Sequence, residues 1–155
     1  MLPTILTFIV SLFTLFGIPW IAQQTGFKPT TSRNWLILAC CLYAISWYLP
    51  QPLIQGQNTM FMTHFVGGGL FTTCIWIFLF ERWTGKKSIL LQLISVFALI
   101  SMLGAANELF ELFITQIGLI HLDPSDTWWD LFANTFGAFS LWFIYTSGKS
   151  LKSKA

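Results

Sequence analysis

Glu108 and Glu111 stand inside a run of apolar residues, and nothing about that run explains two carboxylates. A charged side chain held centrally in a membrane helix costs roughly 2.5–3.5 kcal/mol on insertion scales, so two on one helix need a cation, a partner, protonation or water. Their spacing of three puts both on one helical face, with Gly104 a turn earlier on the same stripe. A second stripe follows at successive spacings of four: Asp126, Asp130, Asn134, then the small residues Gly137 and Ala138. A third element offers His64, followed by Gly67, Gly68 and Gly69, small residues that let a neighbouring backbone come close. One imidazole, several carboxylates and an amide suit one divalent metal ion. Oxygen ligands favour Mg, Ca or Mn, and the imidazole opens Zn or Fe. Without a metal, packed carboxylates repel one another and at least one keeps its proton, which makes a general acid–base pair.

Each residue also has a plainer reading. Thr127 with Asp130 three later is a capping-box pattern after Pro124, so Asp130 could open a helix and do nothing else. Asn134 is too deep to cap, and a lone membrane histidine often only bonds one helix to the next. Depth weighs against coincidence. At 1.5 Å per residue, His64, Glu111, Asp130 and Asn134 all fall roughly 5–12 Å below one boundary, with Glu108 a little deeper. His121 and Asp123 read as loop residues beside that site, and Asp126 as its mouth.

The elements that must hold these groups are membrane helices. The chain has 155 residues, 55% hydrophobic and only 9% charged, against roughly 25% charged in soluble domains. A water-soluble fold of this length could not hide so much apolar surface. Five segments approach the roughly 20 apolar residues that a span needs: about 3–22, 34–49, 60–80, 88–119 and 128–145. The expected fold is therefore a single all-α, polytopic membrane bundle. The first run lacks a basic start and a small-x-small cleavage site, and reads as a retained span.

Charge then orients the bundle. Lys28 and Arg33 lie between spans one and two, Arg82, Lys86 and Lys87 between three and four, and Lys149, Lys152 and Lys154 in the tail. Five spans put all of these on one side, which the positive-inside rule makes cytoplasmic. The N-terminus is then outside, the C-terminus inside, and the acidic cluster near the outer face. Trp20, Trp35, Trp47, Tyr48, Trp83, Trp128 and Trp129 fall near span ends, where amphipathic rings anchor. Glu81 beside Arg82 reads as a solvated pair at the cytoplasmic end.

Several chemistries are excluded. No basic run interleaves with aromatics, so nucleic acid is not a partner. There is no G-x-S-x-G, no Ser/His/Asp order and no phosphate-binding glycine loop, and the Gly67–Gly69 run is inside an apolar helix. Cys40, Cys41 and Cys74 have no metal-ligand spacing and read as small buried hydrophobes. With no Lys or Arg on the outer side, a phosphate-bearing lipid could bind there only through a metal or a helix N-terminus.

Three motifs in order, His64-Phe65-x-x-Gly68, Glu108-Leu109-Phe110-Glu111 and Asp126-Thr127-Trp128-Trp129-Asp130-x-x-x-Asn134-x-x-Gly137-Ala138, resemble the VanZ-like membrane proteins, most closely their YjdF-like relatives. The resemblance covers roughly residues 58–145. Met60 stands where the relatives tend to carry Asp, and the loop before the last span lacks the Arg common in VanZ-like proteins. The family takes its name from a link to glycopeptide-antibiotic resistance, so the resemblance implies an envelope role, the fold and a shared polar site, but no reaction.

Three function classes follow. In one, His64, Glu108, Glu111 and Asp130 are catalytic groups or metal ligands, Asp126 and Asn134 complete the ligand set, and the protein is a hydrolase or transferase of an envelope or lipid-linked substrate. In the second, the cluster locks helices together in a non-catalytic subunit of a larger membrane complex. In the third it is a cation or proton site of a transporter or sensor. Polar groups should then continue inward, where the sequence offers only Gln92, Ser95, Ser101 and Ser140.

Overall fold

The computed structural model describes residues 2–29, 32–54, 56–84, 88–118 and 127–152. Apart from one short hairpin, the described secondary structure is helical. Helix α1, Leu2–Leu12, passes through a π-helical turn, Phe13–Gly17, into α2, Ile18–Gln24. Pro19 sits in the first turn of α2. It brings no N–H to the preceding turn, and a widened turn before a proline is one way a helix absorbs that loss. Gly26 ends the rod at φ 69°, and Phe27 N–H reaches back to Ala22 O at 2.8 Å, a Schellman closure.

Helix α3, Asn34–Ser46, is followed by a two-stranded antiparallel hairpin, β1 Leu53–Ile54 and β2 Gln57–Asn58. The hairpin turns at Gly56, φ 81°. A second π-helical stretch, Thr63–Leu70, then runs directly into α4, Phe71–Thr84. Helix α5, Ile89–Gln116, starts on Ser88, whose hydroxyl accepts from Leu91 N–H at 3.3 Å, and α6 is Thr127–Lys152.

Three stretches are long and apolar enough to cross a membrane: Pro3–Gln24, Thr63–Glu81 and Ile89–Gln116. Two expected spans differ from that standard in opposite ways. Helix α3 is apolar but ends at Ser46, giving about 20 Å of its 13 residues, because the chain turns at Trp47 ahead of Pro50. Helix α6 has 26 residues, beyond the expected end at 145, but Asp130, Asn134, Thr135 and the lysine-bearing tail dilute its hydropathy.

Burial ranks the three long stretches. In Thr63–Glu81, 61% of the most apolar window is buried, against 11% in Pro3–Gln24 and 17% in Ile89–Gln116. The third rod is therefore the axis of the bundle and the others lean on it. Trp76, Ile77, Val96, Ile100, Ala138 and Trp142 form one core cluster, and Leu36, Ile75 and Phe78 a second. The outward faces carry Phe8, Phe16, Trp20, Leu109, Phe143 and Ile144, all well exposed. Apolar exposure on that scale needs an apolar solvent around it.

Candidate functional site

The site is built where the π-helical stretch meets α6. Packing there is set by glycines. A Cβ on Gly67 would overlap the Ser46 hydroxyl, one on Gly68 the Asn134 amide, and one on Gly69 the Asn134–Ala138 backbone. Gly137 returns the contact, since a Cβ there would overlap Phe65 O. Two backbones thus touch without side chains between them, the close approach that small residues permit in membrane helices. Thr73 adds a bond across the same seam, its hydroxyl donating to Ala138 O at 2.9 Å.

That seam carries His64 to Asp130. His64 Nε2 lies 3.4 Å from Asp130 Oδ2, and the two side chains are only 13% and 3% exposed. Glu108 comes in from α5. One ligand atom from each of His64, Glu108 and Asp130 lies within 4.8 Å of the others. Gly104, a turn before Glu108, is buried against α6, its Cβ position 3.3 Å from Leu131 Cδ2 and 3.8 Å from Asn134 Nδ2. The glycine that precedes the carboxylate is what lets α5 reach the cluster.

Asn134, a turn beyond Asp130, is 4% exposed, and its Oδ1 is buried with no hydrogen-bond donor among the described residues. A buried amide oxygen without a donor is uncommon and asks for an explanation in an ion, a water or a strained contact. Glu111 is set apart. It accepts from Asn107 Nδ2 at 2.7 Å and is not among the three residues whose ligand atoms converge. Asp126, His121 and Asp123 lie outside the described residues, as does the Pro124 that precedes the expected cap.

Two polar contributors were not singled out in the sequence. Gln51 donates to Leu49 O at 3.0 Å and to Thr63 Oγ1 at 2.9 Å, and accepts from Met62 N–H at 2.9 Å. It ties the loop after α3 to the start of the π-helical stretch, one residue from His64. Its signal was a lone amide between Pro50 and Pro52. Asn107, which holds Glu111, was visible only as a polar neighbour of Glu108.

No family model, curated protein or solved structure matches the chain. What the cluster does is therefore argued from its own chemistry. An imidazole and two carboxylates from three helices are a donor set for a divalent cation, with coordination positions left for water or substrate. Deeper in the bundle two serines are engaged locally. Ser95 accepts from Trp76 Nε1 at 2.8 Å and donates to Gln92 O, and Ser140 donates to Phe136 O in its own helix.

Proposed function

We propose that this chain is a five-span membrane protein that holds one divalent cation near its outer face on His64, Glu108 and Asp130, with Asn134 beside them. The observation that carries the reading is the convergence of those three ligand atoms within 4.8 Å from three separate helices. The topology rests on charge and contacts together. Phe27 stacks edge-on with Phe80 at 5.5 Å, Trp35 with Tyr145 at 5.4 Å, and Lys149 pairs with Glu81. These contacts set Lys28, Arg33 and Lys149 at the end of the third rod away from His64, the arrangement that the positive-inside rule reads as cytoplasmic. Helix α3 falls about a third short of a 30 Å core, a mismatch that local thinning and the Trp47 and Tyr48 anchors absorb.

A cation held by three protein groups, with open positions, lowers the pKa of bound water and polarises an acyl or phosphoryl oxygen. It would also give the outer face the positive centre it otherwise lacks for a phosphate-bearing substrate. The function this supports is hydrolysis or transfer on an envelope or lipid-linked substrate, in keeping with the VanZ-like resemblance. The local satisfaction of Ser95 and Ser140 speaks against a cation path through one copy.

Metal content of the detergent-purified protein tests the reading. Wild type should hold near one ion per chain. His64→Ala, Glu108→Gln and Asp130→Asn should lose it, and Glu111→Gln should keep it. Metal absent from well-folded wild type would leave the second reading, a helix lock, which the glycine seam under His64 and Asp130 favours.

A further inference from the structure

The bundle has a second built feature, at the other end and away from the His64 cluster. The first rod, α4 and α5 do not close on one another. Between them runs a groove of about 590 Å³ that reaches from Ile9 and Leu103 to Thr25 and Phe27. Its walls are apolar apart from Thr14 and Thr25, and Thr25 spends its hydroxyl on Ile21 O and Ala22 O. At Phe27 the groove meets a second cavity of about 450 Å³, lined by Gln23, Lys28 and Arg33. Among the described residues neither Lys28 nor Arg33 has a carboxylate partner, whereas Lys149 is engaged by Glu81.

Lining and charge decide what the groove holds. It runs about 24 Å along the first rod, from Ile9 to Thr25, between walls that are almost wholly apolar. A single hydrocarbon chain matches that length and lining, and the two cations at its end ask for an anion.

We infer that the chain carries a binding site for one anionic phospholipid of the basic-side leaflet, its acyl chain in the groove between the first rod, α4 and α5, and its phosphate between Lys28 and Arg33. Basic pockets between membrane helices on the cytoplasmic side are the recognised setting for such headgroups. The site rests on the membrane reading but not on any metal, and it would order the loosely held first rod against α4.

Native mass spectrometry of the whole protein, titrated with phosphatidylglycerol and phosphatidylcholine of identical chains, tests this. Two basic contacts predict one bound phosphatidylglycerol per chain and a preference of roughly 30-fold over phosphatidylcholine. Lys28→Gln with Arg33→Gln, both at exposed positions, should erase that preference and leave metal content unchanged. Ile21→Trp, which narrows the groove from an exposed position, should weaken both lipids. Inorganic phosphate alone should neither bind at comparable concentration nor compete. Equal binding of the two lipids by wild type, a preference that survives the double variant, unaltered affinity in Ile21→Trp, or displacement by phosphate would each overturn the site.

Discussion

The third rod and α6 are joined at both ends by a pair of opposite character, and the two joints are built differently. At one end His64 meets Asp130 with both side chains almost fully buried. At the other Lys149 meets Glu81 with side chains 52% and 16% exposed. The buried joint sits on the glycine seam, where backbone touches backbone. The exposed one reaches across by a long side chain that also lies 5.7 Å from the Tyr145 ring. Burial of ionisable groups has to be compensated by partners held in place, while a surface pair can slacken into water. A joint that a bundle needs only for holding could have been made at either end in the cheap form. That it is made in the expensive form at one end, with a second carboxylate, Glu108, drawn in from α5, is why that end is read as the functional one.

The sharpest way to break the comparison is at the seam itself. Gly69→Val places a branched side chain where Asn134 O and the Ala138 backbone already stand, and backbone cannot step aside. The expected result is loss of the folded monodisperse species in detergent size-exclusion chromatography, beyond the 1–3 kcal/mol typical of overpacking. A normal elution profile and melt for Gly69→Val would mean that the two rods are not in backbone contact.

Next in size is Asp130→Ala. Removing the carboxylate that a buried imidazole faces leaves that imidazole without its partner, which typically costs about 1–3 kcal/mol. A drop of that order in unfolding free energy, measured by denaturant titration in micelles, marks the buried joint as structural as well as chemical. Asp130→Asn should recover most of the stability while still losing the metal, because an amide replaces the contact but not the charge. If Asp130→Asn kept the ion, Asp130 would be a packing residue and the cation would rest elsewhere.

Much of this geometry was readable from residue types and spacings. The all-helical fold, the long apolar helices and the small-residue stripes that bring His64, Glu108 and Asp130 together all follow from helical period and rise. The split between Glu108 and Glu111 did not. Residues three apart share a face only to within a broad arc, and the axial rotation of α5 is set by Gly104 against Leu131, a tertiary contact. The π-helical stretch under His64 was equally silent. Its wider turn changes which glycine faces which neighbour, and it depends on Ser46 and Asn134, residues from other helices. The length of α3 was overestimated because periodicity and hydropathy carry on through Trp47–Leu49, whereas the chain turns there. The pairing of Glu81 with Lys149, on another helix, was likewise beyond spacing along the chain.

The smallest effect is expected at the exposed joint, and it is the one that makes the others interpretable. Lys149→Gln removes the charge facing Glu81 and the cation over Tyr145 but keeps a side chain of similar reach. Exposed pairs are typically worth 0.2–1 kcal/mol, and contacts of a cation with an exposed ring a similar amount. The variant should therefore unfold within about 1 kcal/mol of wild type and retain full metal content. Added salt should narrow even that gap, since solvent-accessible charges are screened while the His64–Asp130 pair is not. Should Lys149→Gln instead cost as much as Asp130→Ala, the bundle would be clamped equally at both ends. Burial would then not distinguish them, and the argument that singles out the His64 end would rest on its ligand chemistry alone.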